Sequence, residues 1–234
     1  MKTLAVPLTS DQIEAAGRLY LQLQQWRLSE AALDALAERF TGFSEEAVLL
    51  KVVTVNSLYG TNVLALSRMA AHINGILART NVSIAGPELV EQIALLRGQD
   101  GKASKRHHSF ASKFAHFFLD HQRFPIMDSY AVSMVKLHLG AENCNQNAET
   151  PYIAFVENLS ALRRLAGLAA TNRELDRYLW IAGAYRIYRK RRDAQRKAEI
   201  NVELERLFTD PSEAVRVDLN CLVPALLPKR CRRP

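Results

Sequence analysis

The most informative part of the chain spans residues 109–135 and reads SFASKFAHFFLDHQRFPIMDSYAVSMV. Its opening third places phenylalanines at helical spacing among small residues, which predicts a helix with one apolar side. Pro125 disfavours helical backbone at Phe124, so a turn follows this helix. Asp128 lies at or just before the start of a second helix, where a carboxylate can cap free N–H groups at the positive end of the helix dipole.

Helical periodicity extends outward from this segment over most of the chain. Ser44 is the expected N-cap of one helix, Pro151 suits a first helical position, and Gly42 is expected to end another helix in a left-handed conformation. The predicted helices cover residues 10–25, 29–40, 44–60, about 61–80, 87–97, 109–119, 129–139 and, with a break near Thr171–Asn172, 151 to about 208.

The order of elements decides the fold class. The alternation of strands and helices that a parallel sheet requires is absent, which predicts an all-α protein. We expect two helical lobes with a cleft between them, formed by a single domain over residues 1–210 whose C-terminal helices occupy 150–208. Residues 211–234 are expected to form a basic, irregular tail.

Composition places the chain among globular proteins. Its 234 residues are 48% hydrophobic, and no apolar run reaches the roughly 18 residues that span a bilayer. The first residues turn polar too soon for a signal peptide. We therefore expect a cytoplasmic, nucleoid-associated protein that is monomeric, has no membrane partner and needs no cofactor.

The cysteines and histidines do not predict a metal centre. Cys144, Cys221 and Cys231 are odd in number and widely spaced, which argues against a disulfide framework and a four-cysteine site. His107 and His108 are adjacent, so their side chains would point apart on a helix. No metal is expected.

Positive charge is concentrated near the C-terminus. The net charge is +7, yet residues 186–197 alone contribute +6 and residues 229–233 contribute +4. Local basicity of this kind is typical of a surface that meets phosphates, although a solvated helix face gives the same pattern. We expect backbone contacts from four residues in particular: Arg189, Lys190, Arg191 and Arg192.

Three segments, in order, carry a resemblance to a known family. FPIMDSYAVSMV resembles the turn and helix that hold the catalytic aspartate of the helix–hairpin–helix DNA glycosylases, which include the adenine and 8-oxoguanine glycosylases and endonuclease III. SFASKFAHFF is similar to the helix that follows the family's hairpin, and VNSLYGTNVLAL to an early helix beside the target base. Together the three segments span about residues 50–140.

The resemblance implies a base-excising enzyme. Cleavage of an N-glycosidic bond develops positive charge on the sugar, which the carboxylate of Asp128 would stabilise. The base must first leave the duplex and enter a pocket with aromatic, amide and hydroxyl groups. The residues expected to line that pocket are Asn56, Tyr59, Thr61, Asn62, Ser109 and Tyr130.

One position in the helix predicted over residues 109–119 indicates whether the enzyme would also cleave the DNA strand. Members that cleave the strand carry a lysine at the position that Ser109 matches, so the resemblance implies a hydrolytic enzyme. Lys113, one helical turn later, is a second candidate for a catalytic amine. It can equally contact a phosphate or stay solvated.

This sequence departs from the family's pattern at the hairpin. Its glycine turn is replaced by GQDGKASKRHH, whose basic residues would anchor the DNA backbone instead. Those residues are Lys102, Lys105, Arg106, His107 and His108. Two alternatives remain open: a non-catalytic nucleic-acid-binding protein of the same fold, and a helical regulatory or defence protein whose basic tail serves solubility.

Overall fold

A computed structural model describes residues 2–97, 106–145, 147–194 and 200–222. Within these ranges the chain forms α-helices and no β-strand, which confirms the all-α class. No described helix combines the length and apolarity needed to cross a bilayer. The helices are α1 Ser10–Leu21, α2 Gln24–Arg39, α3 Glu45–Tyr59, α4 Leu66–Leu77, α5 Glu88–Ala94, α6 His108–Phe118, α7 Ser129–Leu139, α8 Pro151–Ala166, α9 Asn172–Asp193, α10 Val202–Thr209 and α11 Glu213–Leu222.

Local capping chemistry sets several of these helix ends. Ser44 precedes α3 and its hydroxyl accepts a hydrogen bond from the backbone N–H of Ala47, as predicted. α8 begins at Pro151, also as predicted. Thr171 and Glu174 form a reciprocal capping box at the start of α9, which explains the predicted break near this point.

Four predicted boundaries are wrong. α1 ends at Leu21 rather than residue 25, and α2 begins at Gln24 rather than Ser29. Gly42 lies beyond the end of α2 and does not adopt a left-handed conformation. α4 begins only at Leu66 because residues 60–65 form a turn.

The prediction of an irregular tail from residue 211 is also wrong over part of its length. Glu213–Leu222 form α11, an amphipathic helix whose Val215, Leu219 and Leu222 are buried. Residues 223–234 lie outside the described residues.

The chain divides into two compact units. The first comprises the described residues of Met1–Gln25, Tyr130–Cys144 and Asn158–Pro234. In it α1 packs against α9 and α11, and α10 packs against α9. The core includes a buried pair in which His138 Nε2 lies 2.8 Å from Tyr178 Oη while His138 Nδ1 lies 2.9 Å from the carbonyl oxygen of Val6.

The second unit comprises the described residues of Trp26–Ser129 and Asn145–Glu157. Here α3 packs against α4 and α6, and α5 packs against α6 and α4. α6 lies almost wholly inside this unit: residues 110–118 are all buried, including Ser112, Lys113 and His116. These buried polar side chains are candidates for a functional site.

Candidate active site

Lys113 is a buried lysine on α6. Its side chain is only 5% exposed, and its Nζ donates a hydrogen bond of 2.9 Å to the hydroxyl of Ser109. Helical side chains lean toward the N-terminus, so a lysine at 113 delivers its amine one turn back, at position 109. Lys113 is therefore not solvated, contrary to one of the sequence-based expectations.

The ring of Tyr59, which belongs to an aromatic cluster, lies near this amine. Nζ of Lys113 lies 5.4 Å from the ring centre of Tyr59, a distance at which a cation is attracted to the ring face. The Tyr59 ring also packs 5.1 Å from Trp26 and 5.8 Å from Phe117. Tyr59 and Trp26 are partly exposed. The sequence predicted Ser109, Lys113 and Tyr59 as site residues but gave no signal for Trp26 or Phe117.

The turn that carries Asp128 is fixed to α6 and α8 at three points. Its Phe124 carbonyl accepts a hydrogen bond from Nδ1 of His116 (3.0 Å). Its Pro125 carbonyl accepts one from the Tyr152 hydroxyl (2.9 Å). Its Met127 N–H donates to the hydroxyl of Ser112 (3.0 Å).

These contacts have a consequence for Asp128. Ser112 immediately precedes Lys113 on α6, and Met127 immediately precedes Asp128. One hydrogen bond therefore fixes the backbone before the carboxylate to the helix that carries the buried amine. The Asp128 side chain is partly exposed and directly precedes α7.

Thr61 and Asn62 lie in the turn after α3, and Asn56, near the end of α3, is hydrogen-bonded to that turn. The amide oxygen of Asn56 accepts hydrogen bonds from the Thr61 hydroxyl (2.8 Å) and the Val63 N–H (2.9 Å). Asn62 adopts a left-handed conformation, with φ of 56°, and is exposed. The three polar residues predicted for a base pocket thus come together, with the Asn56 oxygen committed to the turn.

Two of the residues predicted to bind DNA are held by a buried carboxylate. Oε2 of Glu91 lies 2.8 Å from Nε2 of His108 and 3.2 Å from Nη1 of Arg106. Its Oε1 accepts a hydrogen bond of 2.6 Å from the N–H of Tyr152. Burial raises the pKa of Glu91, but the hydrogen bonds from His108 and from the N–H of Tyr152 outweigh this and keep its pKa below the ordinary value.

The residues of the basic loop that were predicted to bind DNA differ in their exposure and contacts. Arg106 stays 46% exposed despite its ion pair with Glu91, and the His107 N–H donates to the Ala94 carbonyl. Lys102 and Lys105 lie outside the described residues.

The other predicted site residues belong to the first unit. Tyr130 is partly exposed on α7 and packs against Gly183, where an added Cβ would come within 2.9 Å of the Tyr130 Cβ. Lys190 and Arg192 are exposed at the end of α9, and Arg191 is partly exposed. Arg189 donates to the Tyr185 hydroxyl over 3.4 Å, which raises the pKa of its guanidinium.

Lys51 is a second buried lysine, which no sequence pattern identified as a candidate site residue. It is 1% exposed, and its Nζ donates to the Gly42 carbonyl at 2.9 Å and lies 4.2 Å from the Phe43 ring centre. Burial lowers the pKa of this amine. Its contacts tie the segment before α3 to the helix, so we assign it a structural role.

Comparison with known proteins shows a similarity over part of the chain. The family model HI_0787_N, described as an N-terminal domain, matches residues 12–122. The matched region contains Tyr59, Ser109 and Lys113 and ends before Asp128. No curated protein and no solved structure is similar enough to the chain to count as a match.

Proposed function

We propose that the protein is a DNA glycosylase that hydrolyses the N-glycosidic bond of a damaged or modified base extruded from duplex DNA. The observation that carries this proposal is the hydrogen bond between the Met127 N–H and the Ser112 hydroxyl. It joins the turn bearing Asp128 to the helix bearing Lys113 and Ser109. A carboxylate that stabilises the developing charge and an aromatic ring that stacks on the base are groups that such chemistry uses.

Each group has a distinct task in this proposal. The carboxylate of Asp128 stabilises the positive charge that develops on the sugar and orients the attacking water. The partly exposed Tyr59 stacks its ring on the extruded base. The Lys113 ammonium and the Ser109 hydroxyl supply hydrogen bonds to the base or the sugar.

Phosphate contacts come from the basic surfaces. Lys190 and Arg192 in the first unit and Arg106 in the second present exposed or partly exposed cations. Such contacts position the protein on the backbone and carry no sequence information. Because Glu91 already forms an ion pair with Arg106 and a hydrogen bond with His108, these two contribute less than the sequence alone suggests.

The direct test is release of free bases. Wild-type protein is incubated with duplexes that carry individual damaged or modified bases, and released bases are identified by mass spectrometry. Asp128→Asn is expected to abolish release while it keeps most of the affinity for the duplex. Asp210→Asn, an exposed carboxylate after α10, is the matched control and should release bases like wild type. Release that survives Asp128→Asn contradicts the proposal.

A trapping experiment separates hydrolysis from strand cleavage. A lysine nucleophile would form a Schiff base with the sugar, which borohydride reduces to a stable protein–DNA adduct. Because Ser109 occupies the family's lysine position, we expect no adduct with wild-type protein. An adduct that Lys113→Met abolishes would instead make Lys113 the nucleophile.

A non-catalytic nucleic-acid-binding protein is the second candidate. It is favoured by the near-complete burial of Lys113, whose amine is shielded by Tyr59. Such a protein would bind duplex DNA with strong salt dependence, release no base from any duplex and be indifferent to Asp128→Asn.

A further inference from the structure

Glu91 divides its carboxylate between the starts of two helices and one arginine. Its Oε1 accepts a hydrogen bond of 2.6 Å from the N–H of Tyr152, in the first turn of α8. Its Oε2 lies 2.8 Å from Nε2 of His108, the first residue of α6, and 3.2 Å from Nη1 of Arg106. Three segments that are distant in sequence therefore meet at one buried carboxylate.

The contacts of this carboxylate differ in length and burial. Tyr152 is fully buried, and the His108 side chain is only 15% exposed. The contact with Arg106 is longer, is made through one guanidinium nitrogen and leaves the arginine side chain 46% exposed. An ion pair as exposed as this contributes little to stability. Arg106 can therefore leave Glu91 with little loss of stability, whereas His108 and Tyr152 remain in place.

Release of Arg106 leaves the surrounding backbone unchanged. The N–H of His107 donates to the carbonyl of Ala94 over 2.9 Å, which fixes the chain next to Arg106 to the end of α5. Only the arginine side chain has to rotate. Glu91 keeps its hydrogen bonds with His108 and Tyr152, so two donors still stabilise its charge after the arginine has left.

A phosphate is a better partner for this guanidinium than Glu91 is. Arginine presents its N–H groups in a planar fork that fits two phosphate oxygens at once, whereas the pair with Glu91 is made through Nη1 alone. A cation that neutralises a phosphate of duplex DNA also releases condensed counterions. The exchange of partners therefore favours the polyanion, and the loss of the Glu91 contact subtracts from the affinity gained.

We infer that Arg106 is an exchangeable phosphate contact, which Glu91 holds in the free protein and which transfers to a DNA phosphate in the complex. Glu91 is then an internal competitor that lowers the affinity for DNA. The inference concerns regulation of the DNA-binding surface, and it rests on that part of the proposed function which makes DNA the partner. It does not require base excision.

The salt dependence of binding tests the transfer. The probe is a short fluorescein-labelled duplex of unmodified bases, whose anisotropy reports binding by the full chain over a salt series. Arg106→Gln should reduce the slope of log affinity against log salt by about 1, because one phosphate contact is lost. An unchanged slope would mean that Arg106 stays with Glu91 in the complex, and would overturn the inference.

Removal of the competing charge is the second test. Glu91→Gln keeps an oxygen for the Tyr152 N–H but no longer forms an ion pair with Arg106, so affinity should rise by about fivefold at an unchanged slope. In an Arg106→Gln background the same change should raise affinity by less than about twofold, because the pair is already broken. An equal rise in both backgrounds would overturn the inference. Should Glu91→Gln fail to fold, the slope of the Arg106→Gln protein decides the question.

Glu88→Gln is the matched control for net charge. Glu88 is exposed and lies one turn before Glu91 on the same helix, and its neutralisation changes the net charge by the same amount. Because salt screens an exposed charge that has no direct contact with Arg106, affinity should stay within about twofold of wild type. A rise equal to that of Glu91→Gln would assign the effect to net charge and contradict the competition.

Base release measured on the same proteins keeps the two proposals apart. Affinity that depends on Glu91, without base release from any duplex, would support the exchange and contradict the glycosylase. Base release with affinity that does not depend on Glu91 would do the opposite. Failure of the wild-type protein to bind any duplex would contradict both.

Discussion

His138 shows how a single buried side chain makes the first unit sensitive to pH. Its Nδ1–H donates to the Val6 carbonyl, so its Nε2 accepts from the Tyr178 hydroxyl, an arrangement that requires the neutral ring. Burial lowers the pKa of His138, although the Val6 carbonyl acts in the opposite direction. The unfolded chain therefore binds this proton more readily than the folded chain does.

The sign of the pH effect follows from that difference. His138 contributes stability above its unfolded pKa of about 6.5, and this contribution is lost as the pH falls through the lower folded-state pKa. We expect the free energy of unfolding, measured by urea denaturation, to fall between pH 7 and pH 5. His138→Gln, which keeps a donor and an acceptor, should show a smaller fall. Identical pH dependence in the two proteins would contradict this account.

At the scale of single residues, the sequence identified several residues of the candidate site but did not predict their burial or their contacts. Ser109, Lys113 and Tyr59 were identified, and the structure brings them together. Burial of Lys113 was missed, because it depends on α3 packing against α6, which local pattern does not encode. Arg106 and His108 were predicted to face DNA without regard to Glu91, whose burial follows from the same long-range packing.

At the scale of elements, side chains of α6 and α8 fix the turn between α6 and α7 by hydrogen bonds to its backbone. Tyr152 on α8 is fully buried, and its hydroxyl donates to the Pro125 carbonyl. Burial, together with the nearby charge of Glu91, raises the pKa of Tyr152, so the hydroxyl remains a donor at all ordinary pH values. The position of Asp128 thus depends on a helix that begins more than twenty residues later.

Tyr152→Phe isolates that hydrogen bond, because only the hydroxyl is removed. We expect a loss of about 1 kcal/mol in the free energy of unfolding. Base release should also slow by about tenfold, because small displacements of a catalytic group are costly. Tyr20→Phe, a buried tyrosine of the first unit, serves as control for hydroxyl removal and should leave release unchanged. Full activity of Tyr152→Phe would show that the Asp128 turn does not need this contact.

Helix ends were predictable where a local rule governs them and not elsewhere. Ser44 and Pro151 obey capping preferences that act within a few residues, and both predictions are confirmed. The start of α2 at Gln24 was missed, since no capping residue precedes it. α11 was missed because the basic end of the chain concealed an amphipathic stretch just before it.

At the scale of the whole molecule, charge distribution governs any encounter with nucleic acid. The net charge is +7, and exposed cations at the end of α9 contribute to it. Each phosphate contact releases condensed counterions, so affinity falls with salt by a slope that counts the contacts. The salt dependence therefore measures how many cations take part.

Lys190 and Arg192 are the cleanest pair for that measurement, since both are exposed. The double variant Lys190→Gln and Arg192→Gln should reduce the slope of log affinity against log salt by about 2. The exposed arginines Arg39 and Arg216 provide a control of equal charge: their conversion to Gln should leave the slope nearly unchanged. An equal reduction by both pairs would mean that net charge alone, rather than this cluster, drives binding.

The central claim is that Asp128 acts on the sugar of an extruded nucleotide. A structure of the Asp128→Asn protein, bound to a duplex that contains a base the wild-type protein releases, tests it most directly. The account predicts that nucleotide outside the stack, with its C1′ atom within about 4 Å of the side chain at position 128. A nucleotide still paired in the duplex, or extruded to a site remote from position 128, would contradict it.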